Sequence, residues 1–153
     1  MGLDMYLSST KGTWDQERIS KHGWERRQAY QTSPEAGEAF DEKQSIEETE
    51  LGYWRKHSDL HGYFQKLYYD LTPVEYQAES FNCEYLVLDR EMIYDIIDKA
   101  KQQLAGQDAF EEARGFFWGE SMPEDWEDTI DIFERVLNQV DFENETVLYS
   151  SWW

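Results

Sequence analysis

His57 and His61 stand four residues apart in HSDLH. On a helix that spacing puts two imidazoles on one face, as in zinc sites. The metalloprotease pattern requires glutamate directly after the first histidine, and Ser58 stands there instead. The third histidine, His22, lies in a distant polar stretch, and the nearest carboxylate is Asp59. We therefore expect no metal site, and rings packed beside Trp54 and Tyr63.

The run GYWRK offers different chemistry. Arg55 and Lys56 could hold a phosphate or carboxylate while Tyr53 or Trp54 stacks on a ring, with His61 one helical step away. Against this stands the plainer reading of Trp54 as core and the two bases as solvated. Cys83 adjoins Glu84, which would raise a thiol pKa, so it reads as a small core residue rather than a nucleophile. The nine glycines are scattered and form no phosphate loop. No pair among 33 acids can be singled out as catalytic. No cofactor and no catalytic residue is expected.

The strongest bias lies near the C-terminus. Residues Pro123–Leu148 hold nine carboxylates and one arginine. At about 100° per residue, Trp126, Thr129, Ile130, Phe133, Val136, Leu137 and Val140 fall on one helical face. Glu124, Glu127, Asp128, Asp131 and Glu134 fall opposite. The helix macrodipole favours acids in the first turn but not Asp131 or Glu134. Like charges three or four apart cost a few tenths of a kcal/mol each. Glu124 to Glu134 spans about 15 Å, or roughly one charge per 3–4 Å, close to the spacing along one DNA strand. Asp141 and Glu143 extend the acidic run. Two readings stand side by side: a solvated face, and a working anionic surface built from these seven residues.

These residues need elements to carry them. GLDMYLS (2–8) reads as a strand. Residues 9–50 read as a polar loop or insertion, partly mobile around 32–46, with a short strand near 24–30. The stretch from Leu51 to Leu71 has helical spacing, interrupted by Gly62. CEYLVL (83–88) reads as a strand, followed by a helix capped by Asp89 and stopped at Gly106. GFFWG (115–119) reads as a buried strand. A helix from Pro123 to about Val140 follows, and ETVLYSSWW closes as a strand. The expected fold is a single α+β domain: a small mixed or antiparallel sheet covered by about three helices.

Bulk properties narrow the classes. The 153 residues suit one domain, and 25 aromatic residues supply a core without disulfides. A net charge of −19 opposes direct contact with nucleic acid or anionic membranes and favours basic protein surfaces. The charge is regional: +1 over residues 1–34, −6 over 35–50, −3 over 51–105 and −11 over 106–153. One cysteine permits no internal disulfide. With no long apolar run, no basic leader, and Tyr6 where a myristoylation motif wants serine or threonine, a cytoplasmic location is expected.

The opening MGLDMYL and the later GYWRK…LH.YF resemble a family of small uncharacterised phage, prophage and bacterial proteins. GFFWG, PEDWEDTIDIFERVL and YSSWW resemble its later features, whereas residues 9–50 show no match. The resemblance implies a mobile-element or bacterial cytosolic setting, in the host cell if phage-encoded. It supplies no activity and no catalytic residue. In the family the position of His57 is usually a small residue, while His61 has a counterpart.

Together these readings predict a protein-binding inhibitor. Its anionic face would mimic nucleic acid and occupy a host defence complex of CRISPR-effector or restriction type. The alternatives are a small-ligand module or enzyme around Tyr53–His61, and an accessory protein whose charge serves solubility. Oligomeric state is left open.

Overall fold

A computed structural model describes residues 2–113 and 119–153. The elements follow the chain as β1 (Asp4–Lys11), α1 (Gln16–Thr32), α2 (Pro34–Gln44), β2 (Thr49–Arg55), α3 (Ser58–Leu71), a 3₁₀ turn (Val74–Tyr76), β3 (Leu86–Leu88), α4 (Arg90–Leu104), α5 (Pro123–Gln139) and β4 (Glu145–Trp152). The strands form one antiparallel sheet in the order β2-β1-β4-β3. The expected α+β fold is present, and the described residues contain five helices where about three were expected.

Strand alternation sorts the sheet into two faces. Met5, Leu7, Trp54, Val147, Tyr149, Leu86 and Leu88 join one buried cluster with residues of α3, α4 and α5. Among them are Leu60, Phe64, Ile93, Ile96, Phe133 and Val136. Tyr6, Tyr53 and Trp152 point the other way and remain exposed. At Gly52 an added Cβ would come within 2.6 Å of Ile132 Cγ2. Residue 52 is therefore glycine because α5 rests directly on the β2 backbone.

Residues 9–50 depart most from expectation. They hold two helices where a loop and a short strand were expected. Asp15 caps α1 by accepting from the Arg18 amide at 2.8 Å. Ser33 ends α1 in extended backbone and caps α2, accepting from Ala36 N at 3.0 Å. Pro34 thus starts a helix instead of breaking one, as proline does at a first helical position. Gly37 is buried beneath the Tyr30 ring, where a Cβ would lie 2.3 Å from ring carbons.

Three further expectations change. GYWR lies in β2 and Lys56 just past its end, not in the helix after it, because β2 pairs with β1 and α3 starts only at Ser58. The strand expected over 83–88 pairs regularly only from Leu86, and Cys83 adopts a positive φ of 65° in the approach to it. Cys83 is exposed, which corrects its reading as a core residue. Asp89 does cap α4 and Gly106, at φ 88°, follows its end. Of the strand expected at 115–119, residues 115–118 lie outside the described residues.

The sheet's two edges are treated differently. At β3 the Gln16 carboxamide acts like one residue of a neighbouring strand. It accepts from Val87 N at 2.7 Å and donates to Tyr85 O at 3.0 Å. At β2, Arg135 of α5 donates to Leu51 O at 2.9 Å. Each contact occupies backbone groups that an open edge offers to other chains.

Candidate functional site

The acidic helix is α5, and its burial follows its periodicity. Trp126, Thr129, Ile132, Phe133 and Val136 are buried. Ile130 and Leu137, expected on the core stripe, are only half-buried, and Ile132 takes their place. The helix start is fixed by Asp125, whose Oδ2 accepts from Met122 N at 2.7 Å. Partial burial raises the Asp125 pKa, and the neighbouring charges of Asp128 and Glu124 add to the shift.

All seven predicted interface acids are exposed, but they are not equivalent. Glu124, Glu127, Asp128 and Asp131 make no ion pair among the described residues. Glu134 reaches Lys101 of α4 at 3.4 Å, with both side chains half exposed. Asp141 builds the turn into β4, accepting from Asn144 Nδ2 at 2.7 Å and Glu143 N at 3.1 Å. Those bonds hold its carboxyl below the ordinary value. Glu143 stays exposed beyond that turn. Arg135, the single base of the helix, is drawn to the β2 edge.

The residues of the alternative ligand site do not converge. Alternation along β2 sends Tyr53 and Arg55 outward and Trp54 into the core. Tyr53 O–H donates to Asp4, which pushes its pKa up to about 12. Lys56 is exposed at φ 59°, with its stem close to Gly2 and Gly119. His61 is fully buried, with Nδ1 2.6 Å from the Tyr149 hydroxyl.

His57 belongs to a buried polar cluster joining β2, α3 and α5. The Thr129 hydroxyl donates to Asp125 O at 2.7 Å. It therefore accepts from both Trp54 Nε1 at 3.0 Å and His57 Nε2 at 3.1 Å. The imidazole proton thus sits on Nε2. Nδ1 accepts from the Ser121 hydroxyl at 2.7 Å, and Ser121 Oγ accepts from Asp59 N at 2.9 Å. Every side-chain polar atom of His57 and Thr129 is used, and the ring is neutral. Burial lowers the pKa of both His57 and His61 to about 3. The two histidines hydrogen-bond different partners. Among the described residues no group of three or more metal-ligating side chains comes together, and no helix is long and apolar enough to cross a membrane.

Sequence reasoning missed the outer face of the sheet. Tyr6 and Tyr53 lie with ring centroids 5.5 Å apart, and Trp152 is exposed two strands away from Arg55. The available signal was alternation: a strand that buries Met5 and Leu7 must present Tyr6 to the other side. Comparison with protein families, with curated proteins and with solved structures finds no match.

Proposed function

We propose that the protein binds a basic protein surface through the exposed face of α5, centred on Glu124, Glu127, Asp128 and Asp131. The observation that carries this reading is that these four acids share one helix face with no ion pair among the described residues. Elsewhere in the same chain, Asp41 and Glu84 have arginine partners. Such a face steers encounter with a cationic partner and penalises wrong ones. Its charge spacing suits a surface that otherwise holds a nucleic-acid strand. The finer reading is an inhibitor from a phage or other mobile element that occupies a nucleic-acid channel in a host defence complex. Glu143, exposed at the turn that Asp141 builds, is included in this reading.

The test is charge reversal. Glu127, Asp128 and Asp131 changed to Lys together should abolish binding to a basic partner while α5 keeps its buried face. Glu134 is left alone because of its bond to Lys101.

A further inference from the structure

Helix α1 turns an unusual stripe toward the sheet. Ile19, Gly23, Arg26 and Arg27 lie along it, and only Ile19 and Ser20 of the whole helix are buried. A helix held by packing alone would place apolar side chains there. Between this stripe and the outer sheet face lies a cleft of about 500 Å³. Tyr6, Tyr85 and Trp152 line its sheet side.

The ionised lining residues are Arg26, Arg27, Asp41 and Glu84. They balance to neutrality within a protein of net charge −19. Arg26 Nε and Nη2 bind the two oxygens of Asp41 at 2.7 and 3.0 Å. Arg27 donates to Glu84 Oε1 and, at 2.8 Å, to Tyr76 O. Arg26 also hydrogen-bonds Tyr30, so its donors are engaged, whereas Glu84 binds Arg27 through Oε1 and its Oε2 is not used in that pair. Glu84 Oε2 offers an acceptor and the lining hydroxyls of Ser45 and Ser150 offer donors at a cleft with aromatic walls. Gly23 keeps the space open: a Cβ there would lie 3.2 Å from Glu84 Oε1.

We propose that this cleft binds an uncharged planar heteroaromatic ring with donors and acceptors on its edge, of the nucleobase or nucleoside type. Aromatic walls favour stacking on a flat ring. Paired donors and acceptors suit a ring edge carrying both. The volume lies within the range of small-molecule pockets. Charge balance at the lining and the strongly negative field of the whole molecule disfavour a phosphorylated ligand. No residue of α5 lines this cleft.

Saturation-transfer NMR and calorimetry with guanosine, adenosine, cytidine and uridine test this, with guanosine monophosphate and benzyl alcohol as comparators. At least one nucleoside should bind. Trp152→Ala, at an exposed position that leaves the core intact, should weaken it about tenfold or more. Glu84→Gln should change the order of preference among the four. The monophosphate should bind more weakly than guanosine, by a margin that shrinks as salt rises. The proposal is overturned if no nucleoside shows saturation transfer, if Trp152→Ala binds like the wild type, or if benzyl alcohol binds as tightly as the best nucleoside.

Discussion

Ser121 and His57, 64 residues apart in the chain, share a 2.7 Å hydrogen bond that ties the approach to α5 to the start of α3. The same Ser121 oxygen accepts from the Asp59 amide, which the α3 cap residue does not satisfy with its own side chain. The acidic helix is therefore held by a polar lock at its N-terminal end and by apolar packing along its length. Its charged face is presented on a helix anchored to the core.

Thr129 is the centre of that lock. Thr129→Val keeps the shape but strands the Trp54 indole N–H and the His57 Nε2–H in the core. Each buried donor left unpaired costs about 1–3 kcal/mol. Urea denaturation should show a loss of roughly 2–6 kcal/mol. A loss under about 0.5 kcal/mol would mean the lock contributes nothing.

His57 also predicts a pH dependence. Its folded pKa, lowered to about 3, lies below the ordinary value near 6.5. Between those values the unfolded chain binds the extra proton, so His57's contribution is complete above pH 6.5 and falls as pH drops. The stability advantage of wild type over His57→Gln should shrink by roughly 2 kcal/mol from pH 7 to pH 5. Comparing the two proteins cancels the opposing effects of Asp125 and of relieved acid repulsion. An unchanged difference across that range would show that His57 is not held neutral.

Gly52→Ala should destabilise the fold by about 1–3 kcal/mol, because the new methyl must displace Ile132 or lift α5 from β2. Thermal denaturation reads this directly. A neutral Gly52→Ala would mean that α5 can move freely against the sheet.

The α1–α2 hairpin should open before the core does. Its attachment is largely polar, through Gln16, the Ser20–Thr72 hydroxyl pair at 3.2 Å and the Arg27–Glu84 bridge. Hydrogen exchange should report faster opening for amides of α2 and the C-terminal half of α1 than for α3, α4 and α5. Equal protection throughout would contradict a polar attachment of low local stability.

Much of this was legible in the sequence because apolar periodicity is a local signal. Ile93, Ile96, Ile97 and Ala100 marked α4, and Trp126, Phe133 and Val136 marked the buried face of α5. What escaped depended on long-range contacts. Gln16, Ser20 and Arg27 are polar and looked like loop, yet each is satisfied by residues more than fifty positions away. Pro34 and Gly37 looked like breakers because the cap at Ser33 and the Tyr30 ring over Gly37 are visible only in three dimensions. Leu51 and Trp54 matched the helical spacing of α3, but pairing with β1 outweighed it. The acidic face could be read from the sequence, while the separate roles of Glu134 and Asp141 needed their partners.

The most direct test of the proposed function is displacement of labelled duplex DNA from purified nucleic-acid-binding defence effectors. A guide-loaded CRISPR effector and a restriction endonuclease are the first two to try, titrated with the protein from low to physiological salt. The account predicts that the wild type displaces DNA from at least one such effector and does so less well as salt rises. The Glu127→Lys, Asp128→Lys, Asp131→Lys triple variant, with its fold confirmed by circular dichroism, should lose that activity. Equal displacement by the variant, or none by the wild type at low salt, would contradict it and leave the α5 acids as a solvated face.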